Sequence, residues 1–153
     1  MSPTLAPAQQ PQATAAPPIT AFSHIDLTVT DVAASVAWYR RVFGLSHVMH
    51  ETHPGGFAEV LVEPRSQVFI GLSQHRANRG EAFAEHRTGL DHVSFLAPGR
   101  DDLVEWQAHL ERLGVSHAPI TDVADPFPYS VLVFRDPDNI QLELIAMGAP
   151  SEV

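Results

Sequence analysis

With 153 residues, of which about 130 remain once a Pro- and Ala-rich start is set aside, the chain has room for one ordinary domain and not for a multidomain machine. It has no cysteine, and all nine basic residues are Arg, which excludes disulfide scaffolds, thiolate-ligated metals, thiol nucleophiles, Schiff-base lysines and Walker-type phosphate lysines. A formal charge of -9 without a basic stripe argues against nucleic acid or anionic membrane as partner, and no apolar run approaches the ~20 residues of a membrane helix.

Residues 1–21 carry no charged side chain and five prolines, with no apolar periodicity, and are expected to form a disordered arm. Neither the basic start nor the apolar stretch of a secretory signal is present, so a cytoplasmic protein is expected. From Phe22, the segment FSHIDLTV reads as a strand, with Ile25, Leu27 and Val29 on one face and His24, Asp26 and Thr28 on the other. Asp31 is placed to cap a helix whose Val32, Val36, Tyr39 and Phe43 form an apolar stripe, and Gly44 sits at its C-cap. Three strands are expected around 46–51, 57–63 and 67–73, separated by Pro-Gly-Gly and Pro-Arg-Ser turns.

After a polar stretch, LDHVSFLA reads as a strand and is followed by a helix with Asp101 and Asp102 in its first turn, Leu103, Trp106, Leu110 and Leu113 on one face, and Gly114 at its end. Placing His24 over His92 also places Val36 over Val104 and Trp38 over Trp106. Gly44 and His47 then fall over Gly114 and His117 with two residues more, and VFIGL at 68–72 over IQLEL at 140–144. The chain therefore reads as an α+β fold of two tandem βαβββ modules, about 22–75 and 88–148, in one domain over 22–148. They form a cupped mixed sheet around a central cleft.

The duplication makes His24 and His92 equivalent positions on first strands, and Gly71 and Glu143 equivalent positions on last strands. Strand alternation turns each away from the helix-covered side. Two imidazoles and one carboxylate converging on a cleft make a metal site that suits Fe(II) and tolerates Mn(II), Co, Ni or Zn, with Gly71 leaving coordination open. Such an ion can hold two neighbouring substrate oxygens as a chelate.

The segments FSHIDLTVTDVAASVAWYRRVFGL, GLDHVSF and FRDPDNIQLELI resemble the vicinal oxygen chelate superfamily, which includes glyoxalase I, extradiol dioxygenases, fosfomycin-resistance transferases, methylmalonyl-CoA epimerase and bleomycin-resistance proteins. The resemblance covers nearly everything after residue 21 and implies metal ligands at His24, His92 and Glu143. Glyoxalase I and the epimerase carry Glu or Gln where Gly71 stands, which counts against those activities. The His, His, Glu set matches the dioxygenases and the fosfomycin transferases, but AMGAPSEV lacks the basic residues expected to hold a phosphonate. A homodimer is expected by the same resemblance.

Three further residues are candidates for contact with substrate. Asp26 shares the face of His24 and is suited to orienting a ligand or acting as a base, although a solvated carboxylate is as good a reading. His75 shares strand parity with Gly71, Ser73 and Phe69, as an acid-base group or a replacement ligand, or else marks a strand end. Tyr129, in DPFPYS, is placed to hydrogen-bond a substrate oxygen or to pack at the rim. The remaining histidines receive no role, HMHETH being a place for adventitious nickel or zinc, and DPDN at 136–139 reads as a structural turn. The leading expectation is a mononuclear Fe(II) or Mn(II) dioxygenase-like enzyme acting on a small molecule with adjacent oxygen donors. The alternatives are a bleomycin-resistance-type binding protein and a glyoxalase- or epimerase-type lyase or isomerase.

Overall fold

The computed structural model describes residues 16–148. Most of the expected arm, residues 1–15, lies outside the described residues, as do 149–153 of the C-terminal segment; residues 16–23 run without helix or strand and are exposed. The element order is β1 (His24–Thr28), α1 (Val32–Phe43), β2 (Ser46–His53), β3 (Gly56–Val62) and β4 (Phe69–His75), then β5 (Val93–Leu96), α2 (Arg100–Arg112), β6 (Thr121–Val123), β7 (Tyr129–Arg135) and β8 (Gln141–Met147). These are the two βαβββ modules that the repeat implies.

Local chemistry sets the helix ends. Asp31 accepts from Ala34 N at 3.0 Å, and Gly44, at φ 68°, lets the chain leave α1 in a left-handed turn. The buried residues of α1 are Val32, Ser35, Tyr39 and Val42. Val32 and Tyr39 are buried as expected, whereas Ser35 and Val42 take the places expected for Val36 and Phe43, because the flank that carries Trp38 and Phe43 faces the second module: Phe43 packs 5.1 Å from Phe95, 5.8 Å from Trp106 and 5.9 Å from Phe134. His109 Nε2 hydrogen-bonds to Val42 O at 2.9 Å across the same seam.

Each module forms its own four-stranded sheet, ordered β1-β4-β3-β2 and β5-β8-β7-β6, with first and last strands parallel neighbours. One hydrophobic core runs between the modules and includes Leu27, Leu61, Ile70 and Leu72 from the first and Leu103, Leu132, Phe134 and Leu142 from the second. The DPDN turn does more than reverse the chain. Tyr39 donates to Asp136 Oδ2 at 3.0 Å, and Thr30 donates to Asp138 through its N at 3.1 Å and its Oγ1 at 2.6 Å, so the β7–β8 turn is bonded to the first module. Both carboxylates are buried there.

Candidate functional site

Because the modules meet through their helix-side residues, the other face of each sheet is left open. On β1 the alternation puts Leu27 in the core and leaves His24, Asp26 and Thr28 exposed; on β8 it buries Leu142, Leu144 and Ala146 and turns Gln141, Glu143 and Ile145 outward. On β4 the helix side is fixed independently, since Gln74 accepts from the α1 backbone at Val32 N (2.9 Å), so Phe69, Gly71, Ser73 and His75 belong to the open face.

On the second sheet, the loop residue His92, just before β5, meets Glu143. His92 Nε2 stands 3.6 Å from Glu143 Oε1, while Nδ1 lies 2.6 Å from Asp91 Oδ1. A carboxylate only accepts, so the proton on Nδ1 is donated to Asp91, and in the neutral ring this leaves the lone pair on Nε2, on the side of Glu143. A separation of 3.6 Å is long for a hydrogen bond and close to the about 3.0–3.4 Å between two donors that each stand about 2.1 Å from one ion. His24 repeats half of this arrangement: its Nδ1 lies 3.1 Å from Ser23 Oγ, again the preceding residue. The sequence reading did not single out Asp91 or Ser23; a polar residue immediately before each candidate His was the available signal.

The chain does not gather the expected ligands. Among the described residues, no group of three or more His, Asp or Glu side chains is disposed to hold a metal ion. Among the described residues, His24 is on the edge strand of the first sheet, and no strand of that sheet pairs with the second. The spacing of His92 and Glu143 would fit two corners of an ion's shell, and no third His, Asp or Glu joins them among the described residues.

The other candidates fall in different places. Asp26 lies directly across from Gly71 in the β1–β4 register and accepts from Ser73 Oγ at 2.8 Å. His75 ends β4, its ring 4.8 Å from that of His53, over Gly56, whose missing side chain lets the two rings meet. His53 Nε2 is buried without a hydrogen-bond partner among the described residues, a feature that sequence alone could not reveal because it depends on the β2–β3–β4 register. His75 also lines a cavity of about 670 Å³ with Thr28, Asn78, Arg79, Phe83 and Arg87. Tyr129 opens β7 beside the exposed Phe127. It stands four residues from Val133, the cross-strand partner of Glu143, which is roughly 14 Å at about 3.4 Å per residue. The structure therefore places His75 and Tyr129 at strand ends, away from Gly71 and Glu143. In HMHETH, His47 and His50 both bond to Glu59, at 2.6 and 2.7 Å, and these contacts, that of His50 first, hold the Glu59 carboxyl below its usual range. A largely apolar groove of about 880 Å³, lined by Phe22, Phe43, Phe69, Phe95, Leu96 and Trp106, runs beside His92.

Comparison with known proteins agrees with this architecture. The family model described as Glyoxalase/Bleomycin resistance protein/Dioxygenase superfamily matches residues 21–144. A glyoxylase/bleomycin resistance protein/dioxygenase domain from Frankia sp. EAN1pec is 30% identical, with a TM-score of 0.77 over 86% of this chain and 100% of that one. The fosfomycin resistance protein FosX from Listeria monocytogenes, in a complex with Mn(II) and sulfate, shares the fold at a TM-score of 0.62 and 20% identity, over 88% of this chain and 97% of that one. A point mutant of the same FosX, in a complex with Mn(II) and 1S,2S-dihydroxypropylphosphonic acid, gives 0.63 and 19% over 85% and 94%. No curated protein sequence matches. With its two βαβββ modules and a family match over most of its length, the chain belongs to the glyoxalase/bleomycin resistance protein/dioxygenase superfamily.

Proposed function

We propose that the protein is a metal-dependent enzyme acting on a small molecule with two adjacent oxygen donors, of the mononuclear Fe(II) or Mn(II) dioxygenase type, and that its site is completed between two copies of the chain. His92 and Glu143 of one copy supply two donors, and His24 of the other copy supplies the third. The observation that carries this reading is the His92–Glu143 pair, with its lone pair set by Asp91 and its 3.6 Å separation. His24 has the equivalent position on the first sheet and no partner ligands among the described residues of its own chain. Exposed apolar residues on both open faces, Met49 on the first sheet and Leu96 (73% exposed) and Met147 on the second, favour a covered face over a wet one. The FosX structure of this fold that holds Mn(II) supports a divalent ion as the class of cofactor.

A divalent ion held there supplies Lewis acidity toward two neighbouring substrate oxygens. The chain's own groups bind and orient: Asp91 holds the tautomer of His92, Asp26 faces the ligand beside His24, and His75 and Tyr129 line the ends of the cleft. The test is elemental analysis combined with sedimentation, on untagged protein purified without oxygen and reconstituted with Fe(II) or Mn(II). Near-stoichiometric metal in a dimeric wild type, lost in His24→Ala, His92→Ala and Glu143→Ala, is expected. Co-refolding His24→Ala with Glu143→Ala should then restore metal to about a quarter of the sites, because half of the dimers are mixed and each regains one intact set. Recovery of none refutes the shared site. A wild type that takes up no metal refutes the enzyme and leaves bleomycin-resistance-type sequestration of a small molecule as the reading to pursue.

A further inference from the structure

The two modules carry a carboxylate at the same cross-strand pair, but on opposite strands. In the second module the pair is Ser94 on β5 with Glu143 on β8; in the first it is Asp26 on β1 with Gly71 on β4. The exchange is steric as well as formal. A Cβ built on Gly71 would lie 2.8 Å from Asp26 Cγ and 2.9 Å from Oδ2, so the carboxylate of Asp26 occupies the space from which a side chain at residue 71 would rise. Ser73, itself buried, holds Oδ1 at 2.8 Å; Oδ2 has no protein hydrogen bond among the described residues, and Asp26 is exposed on the open face. The second module offers no such support, since its counterpart of Ser73 is Ile145.

We propose that Asp26 takes the corner of the site that Gly71 leaves without a ligand, and that its free Oδ2 accepts a hydrogen bond from a hydroxyl of the molecule bound at the ion. Asp26 cannot rise from β4 as Glu143 rises from β8, so it contacts the ion's ligand and not the ion. The ligand class that fits is one in which at least one of the two adjacent oxygens is a hydroxyl: an α-hydroxy acid, a vicinal diol or a catechol. A dicarboxylate or a diketone brings no donor to Oδ2, and a dicarboxylate brings a like charge.

This inference rests on the metal site proposed above, and the experiment separates the two. Mn(II)-loaded protein is titrated calorimetrically with glycolate, which carries a hydroxyl donor, and with oxalate, which carries none. Asp26→Asn keeps the size of the side chain and an acceptor for Ser73 but can turn only an amide toward the ligand. It should weaken glycolate roughly tenfold, the loss of one charge-assisted hydrogen bond, and leave oxalate unchanged or tighter. In the metal titration, Gly71→Glu alone should not tighten Mn(II), because the new stalk meets Asp26. Asp26→Ser with Gly71→Glu, which copies the Ser94–Glu143 arrangement, should tighten it about tenfold. Glycolate and oxalate shifting together, or Gly71→Glu tightening Mn(II) as much as the double change, would overturn the role of Asp26. Wild-type protein that takes up no Mn(II) would instead overturn the metal site. The isosteric Asp26→Asn arm stands even if the residue 71 variants fail to fold.

Discussion

The carboxyl of Asp136 is 6% exposed and bridges the modules, accepting from Asp138 N at 3.0 Å, Ile140 N at 2.8 Å and Tyr39 OH at 3.0 Å. Burial outweighs these three bonds and raises its pKa from 3.8 to about 6. The folded state therefore favours the neutral acid. The stabilisation that this group lends is complete below pH ~4 and is lost as pH rises through about 6. A shift of roughly two units corresponds to about 3 kcal/mol in all, of which about 1.4 kcal/mol falls between pH 5 and pH 8, the rest having gone before the native carboxyl begins to ionise. Asp136→Asn keeps an oxygen for the two backbone donors and cannot ionise. Urea unfolding of wild type and variant at pH 5, 6, 7 and 8 should show wild type losing about 1.4 kcal/mol more than the variant over that range; taking the difference removes the histidines, which titrate in both proteins. Parallel curves, within about 0.3 kcal/mol, would refute the claim that this buried carboxyl carries a raised pKa.

Four other outcomes follow. At Gly56 a Cβ would lie 2.1 Å from the backbone oxygen of Gln74, which cannot move without breaking the β3–β4 ladder, so Gly56→Ala should cost about 3 kcal/mol or more in urea unfolding. Gly44→Ala meets nothing within 4 Å and should cost only about 1 kcal/mol for its φ of 68°. Phe43→Ala removes the ring that joins α1 to Phe95, Trp106 and Phe134, and should lower stability by about 2–3 kcal/mol while leaving the circular dichroism of the folded protein unchanged. At acid pH the depressed carboxyls act: the Arg100 guanidinium, with Ser130, holds Asp122 to about 2, and Arg135 holds Glu85 to about 2. Stability from these pairs is present above the ordinary carboxylate range and lost as pH falls toward 2, so Arg100→Ala or Arg135→Ala should move the midpoint of acid unfolding to higher pH.

Periodicity made much of this fold legible. The alternation of His24 to Val29 and of Gln141 to Met147, the Asp31 cap and the Gly44 stop are local signals, and each corresponds to an element boundary or a face in the structure. The repeat carried further, since matching His24 with His92 and Gly71 with Glu143 identified positions that the strand registers treat as equivalent. The seam between the modules was less legible. The expected α1 stripe of Val32, Val36, Tyr39 and Phe43 did not distinguish the side facing its own sheet from the side facing the second module, because both are apolar. Nor did the DPDN turn announce that its two acids would be bonded to Tyr39 and Thr30, about a hundred residues away in sequence.

The site is the harder case, and the reason is physical. Sequence duplication predicts which positions are equivalent, but it does not say whether equivalent positions meet within one chain or between two. That choice is made by what joins the modules. Here the joint is aromatic and on the helix side, Phe43 and Trp38 against Phe95, Trp106 and Phe134, and it leaves the histidine-bearing faces of both sheets open. The two-fold assembly proposed above, covering one sheet's open face with the other sheet of a second copy, would bring the equivalent positions together without disturbing that core. Under the proposed two-copy site, the carboxylate that has changed strands has a simple account: Asp26 and Glu143 would not need to superimpose within a chain, only to face the same ligand from opposite walls of the shared cleft.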